Sequence, residues 1–174
     1  SIYTKSFIRG FTSWINCHTK SCASRHSIIN AKIIYVLNKI MGRVTERLGR
    51  SGEYFTASVL ALVSDTVIIV PHGAEADIIF DFEDKLYKCQ VKSKTKKEKN
   101  HSKWRFDLRR GSHTKNRHFA EGAIDIYALY SKQYSNVIFM PFGVNKREVR
   151  IEEDIMKNAD SLATFHQTIK ELNY

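Results

Sequence analysis

Residues 75–94, EADIIFDFEDKLYKCQVKSK, constrain the fold more than any other part of the chain. They form two runs rich in apolar side chains, separated by the short acidic turn Phe82-Glu83-Asp84-Lys85. From Leu86 to Lys92 apolar and polar residues alternate, as in a β-strand with one buried face. Two strands joined by so short a turn form an antiparallel hairpin. The sequence therefore predicts a hairpin here, against which the other elements must pack.

The predicted hairpin brings three polar side chains to one place. Asp77 begins the first strand, and Gln90 and Lys92 lie near the end of the second. Because side chains alternate along a strand, Gln90 and Lys92 point to the same face, and antiparallel pairing places both near the Asp77 carboxylate. A carboxylate, an amide oxygen and an ammonium group are the components that magnesium-dependent phosphodiester hydrolysis requires.

These residues resemble the core of the PD-(D/E)XK nucleases, in the variant that has Gln in place of the second acid. Twelve residues separate Asp77 from Gln90-x-Lys92, and Ala76 stands where the motif name has Pro. Over residues 41–142 the chain also resembles small endonucleases related to Holliday-junction resolvases, which include homing endonucleases of phage and cyanobacterial introns. The segments that carry this resemblance are GEYFTASVLAL, ADIIFD, YKCQVKSK, WRFDL, IDIYALYS and VIFMPF.

The resemblance implies both a fold and an activity. The fold is of the α/β (α+β) class, with a restriction-endonuclease-like core in which helices flank a central mixed β-sheet. The activity is metal-dependent hydrolysis of DNA, and site-specific homing cleavage of double-stranded DNA is favoured. The alternatives are a structure-selective nuclease similar to Holliday-junction resolvases, which acts on branched DNA, and an inactive nuclease fold kept as a DNA-binding module.

The implied site holds Mg²⁺, because hard oxygen ligands select this ion over zinc. Asp77 supplies the main metal oxygen, while the Gln90 amide oxygen and the Val91 carbonyl oxygen add neutral ligands. Lys92 orients the attacking water, helps to deprotonate it, or stabilises the developing charge. These three roles of Lys92 stay open at the level of the sequence.

A helix is predicted between Gly42 and Ser64, and it carries one more residue of the site. In the resembled family a Glu on the first helix reaches the metal, and Glu53 matches that position better than Glu46. The alternative is that Glu53 is an ordinary acid near a helix N-terminus, favoured by the helix dipole. The Gly49–Gly52 stretch is expected to interrupt the helix, which then starts at about Ser51. The apolar face is predicted to consist of Leu48, Phe55, Val59, Leu62 and Val63.

The chain is basic, and two basic loops follow the hairpin. At 174 residues it is long enough for one ordinary core, and its net charge of +10 suggests an anionic partner, most commonly nucleic acid. The loops begin at Ser93 and Arg109. Candidates for contact with DNA phosphates or guanine bases are Lys94, Lys96, Lys97, Arg109, Arg110, Lys115 and Arg117.

Residues 1–40 differ from the rest, because they hold six Lys or Arg and no Asp or Glu. They are interpreted as a basic N-terminal extension, non-native or a targeting segment, mobile or marginally helical, that precedes a nuclease domain at 41–174. An organelle transit peptide is the alternative. Three cysteines are too few for a disulfide scaffold and favour a reducing, intracellular setting, in the cytoplasm or nucleoid. No run of eighteen apolar residues is present, so no membrane partner is expected.

The other elements are predicted from apolar patterning. Residues 66–70 form a buried strand, 104–108 a third strand of the hairpin, and 124–130 and 137–141 the last strands of the central sheet. Residues 151–172 form one amphipathic helix whose apolar side chains pack on the core or take part in oligomer contacts. Since one chain carries a single Asp77/Gln90/Lys92 set, a homodimer or homotetramer is expected to cut both strands of a roughly palindromic target.

Overall fold

The computed structural model describes residues 23–71, 73–99, 101–111, 118–143 and 146–173. Helices lie at both ends of this part of the chain, and the strands lie between them. The elements in chain order are α1 (Ala23–Leu60), β1 (Val67–Ile69), β2 (Ile78–Phe82), β3 (Lys85–Lys94), β4 (Lys103–Asp107), β5 (Ile126–Ser131), β6 (Asn136–Pro141), β7 (Glu148–Glu152), α2 (Glu153–Lys157) and α3 (Ser161–Leu172).

The hairpin predicted from residues 75–94 is confirmed. Strands β2 and β3 pair antiparallel, with Ile78 opposite Cys89 and Phe82 opposite Lys85. The two turn residues Glu83 and Asp84 have φ values of 48° and 59°. Positive φ at both central positions is typical of a type I′ turn, whose twist matches that of the strands it joins. The acidic turn therefore sets the register that places Asp77 opposite Gln90.

The central sheet is mixed, in the order β1-β2-β3-β5-β6, and β5 lies parallel to β3. Every residue of β5 is buried, which fits a strand covered on both faces. One face packs around Phe80, Phe139 and Phe165 between the sheet, α1 and α3. The other face packs around Trp104 and Tyr127, together with β4 and α2. The expected fold class, a central mixed sheet flanked by helices, is confirmed.

Two strand predictions are wrong in their placement. Residues 66–70 do not form a buried strand, because β1 lies at the edge of the sheet and its Ile68 is 52% exposed. Residues 104–108 do not extend the hairpin either. Strand β4 pairs antiparallel with β7, residues 148–152, in a separate two-stranded sheet. Alternation identifies a strand but not its partner, so β4 was assigned to the wrong sheet. Its actual partner, β7, was not predicted.

Helix α1 passes through Gly49 and Gly52 without interruption, so the predicted break and the start near Ser51 are wrong. The helix also ends at Leu60, before Leu62 and Val63 of the predicted apolar face. Leu62 lies in the following turn and is 71% exposed, whereas Leu60 is fully buried in the core. Helical spacing counted through residue 62 fails because the helix has already ended at residue 60.

The C-terminal region contains two helices where one was predicted. Residues 151 and 152 belong to β7, and a break at residues 158–160 separates α2 from α3. Asp160 caps α3, since its side chain accepts a hydrogen bond from Ala163 N. Phe165 is fully buried and packs edge-on against Phe82 and Phe139. Phe165 and Ile169 are therefore unavailable for the oligomer contacts predicted for this helix.

The chain divides into two compact units, Ser1–Val44 and Thr45–Tyr174. The described part of the first unit is helical from residue 23 onward, whereas residues 1–22 lie outside the described residues. The interpretation of residues 1–40 as an extension to a nuclease domain at 41–174 stays a prediction. Among the described residues, no helix is both long enough and apolar enough to cross a membrane.

Candidate functional site

A cleft of about 560 Å³ opens where the two strands of the hairpin separate. The β2–β3 ladder ends at Ile78 and Cys89, and Asp77 N donates the next hydrogen bond to Cys89 O at 2.9 Å. Beyond Asp77 the chain turns away through Gly73, whose φ of 108° is a conformation that favours glycine. The cleft is lined by Glu53, Asp77, Gln90, Lys92, Arg110 and Phe119, among others.

The Asp77 carboxylate is held by the strand opposite it. Val91 N donates a hydrogen bond of 2.8 Å to Asp77 Oδ2, and the Gln90 amide nitrogen donates to the same oxygen. The Gln90 amide also lies 3.4 Å from the carbonyl oxygen of Val91. These hydrogen bonds bring together three of the predicted metal ligands, Asp77, Gln90 and Val91.

Lys92 lies on the same face of β3 as Gln90, as alternation predicts. Residues 87, 89 and 91 are buried, and residues 88, 90 and 92 are only partly buried. The Lys92 ammonium donates a hydrogen bond of 2.8 Å to the carbonyl oxygen of Arg109, and it lies 5.4 Å from the centre of the Phe119 ring. Lys92 therefore enters the cleft with its ammonium group against the basic loop that starts at Arg109.

Glu53 lines the cleft from α1, as does Glu46. Glu46 is ion-paired to Arg50 at 3.0 Å and is more than half exposed. Because α1 begins at Ala23, Glu53 lies deep in the helix, and the helix-dipole explanation for this acid does not apply. Its neighbour Gly52 is buried, and a Cβ atom there would lie 2.0 Å from Ser93 Oγ. The missing side chain at Gly52 lets α1 approach β3 closely beside Glu53.

The cleft offers oxygen donors of the kind that Mg²⁺ takes. No group of three or more His, Cys, Asp or Glu side chains suited to a metal occurs among the described residues. Mg²⁺ takes one or two carboxylates and completes its shell with water and substrate phosphates. Asp77 and Glu53 supply such carboxylates, and rotation of the Gln90 amide presents its oxygen in place of its nitrogen.

Two other titratable residues near the site serve the fold. Cys89 is fully buried, and burial, followed by the charges of Asp77 and Asp125, raises the pKa of its thiol. A thiol held protonated in this way is inert as a nucleophile. Asp125 Oδ2 accepts a hydrogen bond of 2.8 Å from Lys88 N, and Asp125 N donates to Lys88 O. Asp125 therefore extends the pairing of β3 with β5.

Most of the described DNA-contact candidates already have acidic partners. Lys94 pairs with Glu98, Lys97 with Glu153, and Arg110 with Glu75. Arg109 makes a two-pronged contact with Asp107 at 2.9 Å, and the hydrogen bond to this carboxylate raises the pKa of Arg109. Lys96 is exposed, and Lys115 and Arg117 lie outside the described residues. An anionic ligand would therefore compete with carboxylates for four of these cations.

Two contributors to the site, Gly52 and Phe119, were not predicted from the sequence. Gly52 carried a signal, since a glycine inside a helical pattern often marks a close approach. Phe119 carried none, because its contact with Arg110 depends on how the loops fold back.

The chain has a mixed α+β fold in which helices flank a central mixed sheet, similar to that of a homing endonuclease. The solved structure of the bacterial homing endonuclease I-Ssp6803I matches it with a TM-score of 0.56 and 20% sequence identity. The match covers 73% of this chain and 94% of that chain. No family model and no curated protein matches the sequence.

Proposed function

We propose that this protein is a magnesium-dependent DNA endonuclease of the PD-(D/E)XK type. The observation that carries the proposal is the convergence of Asp77, Gln90, Lys92 and Glu53 on one cleft. Similarity to the fold of a homing endonuclease supports the same class. The net charge of +10 supports DNA as the substrate.

Each residue has a chemical task in this proposal. Asp77, Glu53, the Gln90 amide and the Val91 carbonyl hold Mg²⁺, which when bound neutralises phosphoryl oxygens and lowers the pKa of water. Lys92 places a positive charge in the cleft, where it orients the attacking water or stabilises charge on the phosphate. Arg110, at the rim, and the exposed Lys96 bind the DNA backbone.

The proposed substrate is a specific site on double-stranded DNA, which a dimer or tetramer cuts on both strands. A single module covers on the order of 1,000 Å² of DNA, too little for recognition of a rare site. A two-fold assembly doubles the contacts and supplies a second cleft. A four-way junction is the alternative substrate, and the choice between the two depends on the DNA offered.

Cleavage assays with linear duplexes and four-way junctions, with and without Mg²⁺, test this proposal. We expect Asp77→Asn and Lys92→Ala each to lower the cleavage rate by about a thousandfold or more, since metal-ion and charge stabilisation each contribute several kcal/mol to the barrier. DNA binding should change little, because it depends on the basic loops.

Lys88→Ala is the matched control for this experiment. Lys88 lies on the same face of β3, but its ammonium donates to the carbonyl of Gly122 and not into the cleft. Its variant should cleave like the wild type. Cleavage at near wild-type rate by Asp77→Asn or Lys92→Ala would remove the motif from the proposal.

A further inference from the structure

Phe119 lies against two cations in the cleft. Lys92 Nζ is 5.4 Å from the centre of its ring, and the Arg110 guanidinium carbon is 5.9 Å from it. Both distances are within the range of about 6 Å over which the face of an aromatic ring attracts a cation. The ring is only 7% exposed, so water does not screen these contacts strongly.

The position of the ring is itself fixed by the core. Phe119 packs edge-on against Tyr127 of β5, with ring centres 6.2 Å apart, and Tyr127 is 1% exposed. Burial also raises the pKa of Tyr127 to about 12, so this neighbour stays neutral at physiological pH. The ring therefore joins the central sheet to the cations of the cleft.

An aromatic ring holds a lysine in a way that suits the proposed chemistry. The lysine side chain has four rotatable bonds, and its ammonium must be kept at one place to act on a phosphate or a water. The Phe119 ring and the carbonyl oxygen of Arg109 both contact the ammonium and restrict its position in the cleft.

The second cation connects the ring to the start of the motif. The Arg110 guanidinium donates a hydrogen bond of 2.7 Å to Glu75, two residues before Asp77. Phe119 thus lies between the loop that carries Arg109 and Arg110 and the strand that carries Lys92. Loss of the ring would loosen both the ammonium and this loop.

We infer that Phe119 is a positioning residue that orients the Lys92 ammonium for phosphodiester hydrolysis. This inference rests on the proposed function, in which Lys92 acts in the cleft. It gives Phe119 a role beyond its contribution to the core, and it predicts that the aromatic ring itself is required.

The test compares Phe119→Leu with Phe119→Tyr in the full chain, with Phe106→Leu as the matched control. Phe106 belongs to the same apolar cluster and is 1% exposed, and it stacks on Trp104. We expect Phe119→Leu to lower kcat about tenfold with little change in KM, the scale of a desolvated cation–π contact. Phe119→Tyr keeps the ring and should restore the rate, and Phe106→Leu should cleave like the wild type well below its melting temperature.

A second readout does not depend on cleavage. Reductive methylation followed by mass spectrometry measures the reactivity of the Lys92 amine, with Lys88 on the same strand as internal reference. Phe119→Leu should raise the methylation rate of Lys92 severalfold relative to Lys88, while Phe119→Tyr and Phe106→Leu leave the ratio unchanged.

The two readouts separate failure of the inference from failure of the proposed function. An unchanged Lys92 methylation ratio in Phe119→Leu overturns the inference, whether or not the protein cleaves DNA. A raised ratio with a wild-type kcat also overturns it, because the ring would then hold Lys92 without effect on the reaction. If the wild type cleaves none of the DNA substrates, the proposed function is overturned. The claim that Phe119 orients Lys92 for hydrolysis is then overturned with it.

Discussion

At the scale of single residues, Gly52 shows how a missing side chain shapes the site. A Cβ atom at this position would lie 2.0 Å from Ser93 Oγ and 2.9 Å from Tyr130 Cδ1. Both neighbours are side chains on strands of the central sheet, so either these side chains shift or α1 moves away from the sheet. Because Glu53 follows Gly52 directly, that movement also displaces a proposed metal ligand.

We predict that Gly52→Ala destabilises the fold by about 1–3 kcal/mol, the usual cost of overpacking, and weakens cleavage. Gly49→Ala is the control, because a Cβ atom there meets nothing within 4 Å. That variant should gain up to about 1 kcal/mol from helix propensity. Thermal unfolding and cleavage rates measure both effects, and equal stability of the two variants would contradict the prediction.

The central residues of the site could be predicted from the sequence, but their supports could not. Asp77, Gln90 and Lys92 follow from a local hairpin, whose register depends on a short turn and on period-two alternation. Phe119 is placed by the return of a long loop, and no periodicity marks that contact. The Gly52 contact joins helix to sheet, so its pattern alone suggested a helix break where the helix in fact continues.

At the scale of elements, a carboxylate joins the segment after α1 to the hairpin. Asp81 on β2 accepts hydrogen bonds from Ser64 Oγ at 2.6 Å and from Thr66 N at 2.7 Å. The side-chain bond from Ser64, followed by the backbone bond from Thr66, lowers the pKa of Asp81 below its ordinary value. The link stabilises the edge strand β1, because it fixes the residues immediately before it.

The sign of the pH dependence follows from this lowered pKa. Unfolding returns Asp81 to its ordinary pKa, so the contribution to stability is complete above that value and is lost as pH falls through the lower pKa of the folded state. We predict that Ser64→Ala raises the pKa of Asp81 and moves acid unfolding to higher pH. Ser58→Ala, which removes a hydroxyl that donates a hydrogen bond to the carbonyl oxygen of Phe55 within α1, is the control.

Acid titrations followed by circular dichroism measure this effect. If both serine variants unfold at the same pH as the wild type, the Asp81 link contributes nothing to acid stability.

The wrong predictions at the scale of elements have the same origin as this link, which joins segments far apart in the sequence. Pairing of β4 with β7 and the break before α3 depend on contacts between distant segments, and alternation or helical spacing within one segment does not record them.

At the scale of the whole molecule, one compact unit at residues 45–174 contains the complete candidate site. The cleft, both apolar clusters and the hairpin all lie within this unit. The unit carries one set of proposed catalytic residues, so cleavage of both strands requires a second copy or two successive cuts. Because Phe165 and Ile169 are buried within the protomer, these two side chains are not free to contact a second copy.

The last prediction concerns the segment before this unit. The apolar side chains described between Ile34 and Ile40 are 43–67% exposed. Residues 1–40 also contain no acid to pair with the basic loops. We therefore expect residues 41–174 alone to keep the melting temperature and cleavage rate of the full chain. Light scattering should give the mass of two or four chains for both proteins. A fall of several degrees in melting temperature, or a strict monomer that still cuts both strands, would contradict this view of how the molecule is assembled.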